Sequence, residues 1–135
     1  MERAEPDEMT ASDCWDRLKS ISLGRLGISI SALPAILPVQ YYVEGDALAI
    51  CLGHYSYAGR TLDDAVVAFA ADAIDSSTGL GWTVQVQGRS RMRKNLGVPV
   101  DCGQPAAGHI MRVEPVTVTG HRVRLCPFAT DLGVR

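Results

Sequence analysis

Gly81-Trp82-Thr83-Val84-Gln85-Val86-Gln87-Gly88-Arg89 is the stretch that decides how this chain folds. Trp82, Val84 and Val86 alternate with Thr83, Gln85 and Gln87, the period-two pattern of a strand with one buried and one wet face. Gly88, at the end of that alternation, marks a bulge or a bend. Upstream, Asp75 to Gly79 is a polar turn, and Val66 to Ala71 reads as the strand before it. Downstream, Arg89 to Gly108 has no sustained period and reads as a long connection. His109 to Val113 and Val116 to Leu125 then supply the last strands.

The same pattern recurs toward the N-terminus, where Leu26, Ile28 and Ile30 alternate with Arg25, Gly27 and Ser29. Ala32-Leu33-Pro34 turns the chain into a second strand, Ile36 to Val43. Glu44-Gly45-Asp46 leads by a hairpin into a third, Ala47 to Leu52. Pro38 confines the second strand to an edge or a bulge, because proline donates nothing to a ladder. Thr10, Ser12 and Asp13 offer cap chemistry for a short helix with Cys14, Trp15, Leu18 and Ile21 on one face. Thr61 offers the same for a helical turn through Leu62, Asp63, Asp64 and Ala65. Residues 1–11 read as a frayed end and 12–135 as one domain. Five to seven short strands with two short helices point to an antiparallel barrel, not a doubly wound sheet.

Composition narrows the function. With 47% apolar residues, 21% charged residues and a net charge of -2, the 135-residue chain carries no field that would gather phosphate backbones or an anionic membrane. Neither nucleic acid nor a membrane is an expected partner. Met1 to Thr10 is acidic and polar, unlike a secretory signal, which places the chain in the cytoplasm. Cys14, Cys51, Cys102 and Cys126 have no metal-site spacing and read as buried or incidental thiols, not a disulfide framework. His54, His109 and His121 show no ligand spacing, so no metal is expected. No nucleophile-elbow pattern is present.

Four segments, in order, carry a family likeness: Cys14-Trp15 to Ser22-Leu23-Gly24-Arg25-Leu26; Ile36-Leu37-Pro38-Val39-Gln40-Tyr41; Val67-Ala68-Phe69 with Asp72 and then Gly81 to Arg89; and Arg112-Val113-Glu114-Pro115 to Thr119-Gly120-His121-Arg122. Together they resemble the flavin-binding split-barrel proteins of the pyridoxamine 5'-phosphate oxidase-like superfamily. The resemblance implies a mainly β fold, a six-stranded antiparallel split barrel with short flanking helices. It also implies a homodimer holding FMN, or a 5-deazaflavin coenzyme, in clefts at the subunit interface.

Site residues follow from the resemblance position by position. Relatives bind the phosphate with a pattern like H-S-x-x-x-G-x-K-L, matched here by His54-Tyr55-Ser56-Tyr57-Ala58-Gly59-Arg60-Thr61-Leu62. Thr61 stands where the lysine is expected and Arg60 offers a guanidinium one position earlier, beside Asp63 and Asp64, which oppose an anion. Pro38, Val39, Gln40 and Tyr41 match the strand along the flavin ring edge, with Gln40 in place of the commoner Asn. Arg25 either faces phosphate or pairs with Asp72, and Trp82 either walls the cofactor cleft or fills the core or dimer interface.

The function implied is a flavin- or deazaflavin-dependent oxidoreductase acting on a small, flat or conjugated substrate, the chemistry belonging largely to the cofactor. No catalytic residue is singled out. A flavin carrier or sensor, and a cofactor-free dimeric interaction module, are the alternatives. Pyridoxamine 5'-phosphate oxidation itself is not expected, since a substrate-phosphate motif is not apparent.

Overall fold

The computed structural model describes residues 7–52, 62–93 and 110–126. One helix, α1 (Ala11–Ser20), precedes six strands: β1 (Leu23–Ile30), β2 (Leu33–Glu44), β3 (Ala47–Cys51), β4 (Val66–Ile74), β5 (Leu80–Arg93) and β6 (Ile110–Arg124). All neighbours pair antiparallel, in the closed order β1-β2-β3-β6-β5-β4. The expected barrel is therefore the fold observed.

Alternation fills its interior. Leu26 and Ile28 of β1, Val39 and Tyr41 of β2, Val67 and Phe69 of β4, and Trp82, Val84 and Val86 of β5 all point inward and are buried. Helix α1 lays Cys14 and Leu18 over the core, and the Thr10 side-chain oxygen accepts the Asp13 N–H at 3.1 Å, the cap the sequence offers. The Tyr41 hydroxyl donates to the Leu18 carbonyl at 2.6 Å, tying the helix to the barrel.

Burial pushes the Tyr41 pKa from near ten up to about 12. An unfolded tyrosine loses its proton first, so the stability carried by this hydroxyl is intact below pH ~10 and is lost as pH rises toward 12. Urea titrations across that window should show stability falling with pH, and a Tyr41→Phe variant should lose that part of the slope.

Several expectations change. The chain is docked from residue 7, not frayed to residue 11: Glu8 bridges to His121, and the Met9 N–H donates to the Gly120 carbonyl at 2.8 Å. The first turn is Ser31-Ala32, both at positive φ (51° and 67°), so β2 begins at Leu33 with Pro34 already inside it. Residues 62–65 form a turn instead of a helical one, because Asp64 sits at φ +58°. Strand β5 runs on through Arg93, so residues 89–93 are strand instead of connection. The last two expected strands are one, β6, with Val116 as the unpaired extra residue between Thr117↔Gln87 and Pro115↔Gly88. Gly88 permits that close approach, since a Cβ there would lie 2.2 Å from the Glu114 carbonyl oxygen. Cys51 is disulfide-bonded, which corrects its reading as a thiol, whereas Cys14 is a buried free thiol and Cys126 an exposed one, as expected. Among the described residues no helix is long and apolar enough to cross a membrane.

Candidate functional site

The site begins with the backbone of β2. Its Tyr41 N–H donates to the Ser22 carbonyl at 3.0 Å, toward the β1 side. Main-chain groups in an antiparallel strand alternate sides, so Leu37 and Val39 also address β1, while Pro34, Ile36 and Pro38 address the other side. Strand β3 begins to pair that other side only at Gln40↔Cys51. From Leu33 to Val39, therefore, no described strand covers it. Both prolines fall where a missing N–H costs no ladder bond, which explains how they are tolerated within a strand.

Side chains divide accordingly. Pro38 and Gln40 project outward and are exposed, whereas Val39 and Tyr41 are buried in the core. The latter two therefore present neither side chain nor free main-chain groups to a ligand, since their backbone addresses β1. On the outer face lies a groove of about 620 Å³ that runs from Pro34 to Ile36 of β2 across Gly27 to Ser29 of β1 to Val66 to Ala68 of β4 and Gln87 to Arg89 of β5; Pro38 and Gln40 do not line it. Gly27 and Ala68 contribute little bulk to it, and Ile36, Val66 and Val116 rim it, 71%, 72% and 79% exposed. Three branched aliphatics so exposed around one apolar groove mark a surface built to be covered.

Arg25 lies across from Pro38 in the β1–β2 register, and its guanidinium donates to the Asp72 carboxylate of β4. Of its two expected roles the structure shows the pairing. Both side chains are partly in water, so the pair adds little. Arg25→Gln is expected to cost under ~1 kcal/mol in chemical denaturation and to leave ligand affinity unchanged.

Trp82 does not reach the groove. It is buried on the inner face, with the Arg17 guanidinium 5.9 Å from its ring centroid. Of its expected roles the structure shows the core packing. His54, Arg60 and Thr61 lie outside the described residues. Asp63 and Asp64, expected to oppose an anion, are both engaged: Asp63 Oδ1 accepts the Met92 N–H at 3.0 Å, and Asp64 Oδ1 accepts Arg89 Nη1 at 3.1 Å.

The sequence reading missed Ser90, whose side chain is fully buried. Its hydroxyl donates to the Leu62 carbonyl and accepts the Ala65 N–H at 3.0 Å. The signal was available: Ser90 continues the inward positions Trp82, Val84, Val86 and Gly88, and a hydroxyl there needs partners. Beyond β5, Glu44 Oε1 accepts from both Arg93 and Arg112 at 3.1 Å, knitting β2, β5 and β6 together. Among the described residues no cluster of His, Cys, Asp or Glu is arranged to hold a metal ion.

A closed six-stranded antiparallel barrel, in which no described strand pairs with the far side of β2 from Leu33 to Val39, matches the split-barrel architecture. The sequence profile described as pyridoxamine 5'-phosphate oxidase matches residues 10–98, more than half of the chain, and the protein belongs to that family. Among solved structures, the chain is similar to the FAD binding protein from Mycobacterium smegmatis, at 27% identity and TM-score 0.69, covering 87% of this chain and 97% of that one. It is also similar to an FAD-binding protein from Mesorhizobium loti, at 16% identity and TM-score 0.65, covering 87% and 96%. The FAD and heme binding protein from Mycobacterium smegmatis matches at 14% identity and TM-score 0.68, covering 93% and 78%. The last two bear on the fold alone. No curated protein matches the sequence.

Proposed function

We propose that this protein is a flavin-binding oxidoreductase that works as a homodimer, with FMN beside β2 and a small, flat substrate against it. Two observations carry the proposal: the apolar outer-face groove lined by Pro34 to Ile36 of β2, and the opposite side of the same strand, where the carbonyls of Pro34, Ile36 and Pro38 and the N–H of Ile36 meet no described strand. A flavin ring asks for that combination: an apolar surface for its faces and main-chain hydrogen bonds along its edge. The residues present fit such a group. Pro38 and Gln40 would border the ring, and the bound flavin would supply hydride transfer.

Phosphate contacts are assigned to His54, Arg60 and Thr61 by family likeness. Arg60→Ala is expected to weaken FMN binding by ~1.5–3 kcal/mol, the worth of a charged contact, and unchanged affinity in a titration removes Arg60 from the site. The exposed rim of Ile36, Val66 and Val116 supports the dimer, since a second copy would cover it. A cytoplasmic setting, expected from the acidic N-terminal residues, is part of the same proposal.

Visible absorption decides the main question. Protein that carries a flavin, is bleached by NAD(P)H and recovers with an acceptor supports the oxidoreductase; bound flavin without turnover supports the carrier or sensor. Colourless protein that ignores added FMN, FAD and deazaflavin supports the cofactor-free module. FAD is the second reading for the cofactor, favoured by the FAD-binding relative at 27% identity.

A further inference from the structure

We infer that Arg89 receives the anionic group of the ligand held in the outer groove, and that Ser90 is the positioning residue that keeps it there. This rests on the flavin reading and adds Arg89 to the phosphate contacts that family likeness gives to His54, Arg60 and Thr61.

Among the described residues lining the groove, Arg89 is the only one with a charge. It stands on the outer face of β5, between Val66 of β4 and Glu114 of β6 in the register, and its side chain is 49% exposed. Only Nη1 is engaged, by the Asp64 carbonyl at 3.3 Å and Oδ1 at 3.1 Å. The rest of the guanidinium fork donates to nothing among the described residues. Carboxylates on the neighbouring elements are already committed: Asp64 to Arg89 itself, Asp63 to the Met92 N–H, and Glu114 to Arg112 at 3.6 Å. A guanidinium against apolar walls keeps more of its attraction for an anion than one surrounded by water. The groove is thus suited to a flat, mostly apolar body bearing one anionic group, and a flavin phosphate satisfies that description.

Ser90 fixes the geometry. Besides its hydroxyl contacts, its N–H donates to the Ala65 carbonyl and its carbonyl accepts the Asp64 N–H, both at 2.8 Å. The turn from Leu62 to Ala65 is therefore latched to β5 at the residue next to Arg89. Asp64 cannot shift without breaking that latch, so the guanidinium it holds is pre-set instead of wandering over the surface.

The test compares FMN with riboflavin, which has the same ring and no phosphate, by fluorescence titration of the purified chain. The native protein should favour FMN. Arg89→Gln should lose about tenfold or more in FMN affinity while riboflavin affinity stays within about twofold. Arg89→Lys, which keeps the charge but not the fork, should fall between, and Ser90→Ala should shift the FMN-to-riboflavin ratio in the same direction by a smaller factor. A variant Arg89→Gln that keeps the native preference for FMN overturns the inference, as does an equal loss for both ligands. If the native chain binds neither flavin, the functional reading itself falls.

Discussion

Replacing Phe69 with alanine is expected to lower the unfolding free energy by ~3–5 kcal/mol, the range for deleting a fully buried aromatic side chain. Phe69 is 1% exposed and sits opposite Leu26 at the seam between β1 and β4. That seam has three paired positions, Arg25↔Ala70, Leu26↔Phe69 and Gly27↔Ala68, few hydrogen bonds for a junction that closes the ring of strands. Packing has to hold it. The Phe69 ring meets Tyr41 edge-on, with centroids 4.7 Å apart at 64°, and runs beneath Gly24, where a Cβ would come within 2.2 Å of it. Removing the ring leaves a cavity bounded by three strands and a helix-tethering tyrosine, a site with little freedom to collapse. Urea unfolding followed by tryptophan fluorescence measures the loss. A change below ~1 kcal/mol would mean that the seam does not depend on this ring.

Ser90→Ala is expected to cost ~1–3 kcal/mol, because it strands a buried carbonyl and a part-buried N–H rather than merely deleting one bond. Both partners, Leu62 O and Ala65 N–H, lie where the chain turns into β4. Urea unfolding gives the global figure, and hydrogen exchange at the Ala65 amide gives the local one. That amide should exchange faster in the variant, while amides in the middle of β5 follow only the global loss. Unaltered exchange at Ala65 would show that the hydroxyl does not hold the turn.

Much of this architecture is legible in the amino-acid order because one face of most strands is wet. Leu26 and Ile28, and Trp82, Val84 and Val86, announce their inner faces by simple alternation, and the structure places all five in the core. Legibility fails where that contrast disappears. Ala47 to Ile50 is buried on both faces, the outer side of Ala49 packing with Ile110, Tyr42 and Cys51, so β3 is visible only as an apolar run. Residues 89–93 place arginine at all three outward positions, Arg89, Arg91 and Arg93, which resembles a solvated loop although the backbone stays in the ladder. The first hairpin turn uses Ser31 and Ala32 at left-handed φ, without the Asn or Gly that normally marks such a turn. Val116 bulges out of β6, and the slip divides one strand into two apparent ones.

The site is legible in part for a related reason. Pro38 within a strand already indicates an uncovered side, and the parity of the β1–β2 bonds agrees. What a single chain of letters does not contain is which distant groups meet. Arg25 finds Asp72 forty-seven positions away, and Trp82 lies on a face that periodicity identifies while its neighbours, such as Arg17, are set by the docking of α1. Arg89 and Ser90 matter because a turn from another part of the chain comes to rest on them.

The placement of the two prolines in β2 bears on a hazard unrelated to ligand recognition. A strand with an uncovered side is a template on which identical molecules can add themselves end over end, the first step toward fibrils. Here two of the three donors that an incoming chain would seek are missing, at Pro34 and Pro38, leaving Ile36 alone. Where no described strand lies against β2, that margin thus denies polypeptide the reciprocal pairing on which runaway self-assembly depends.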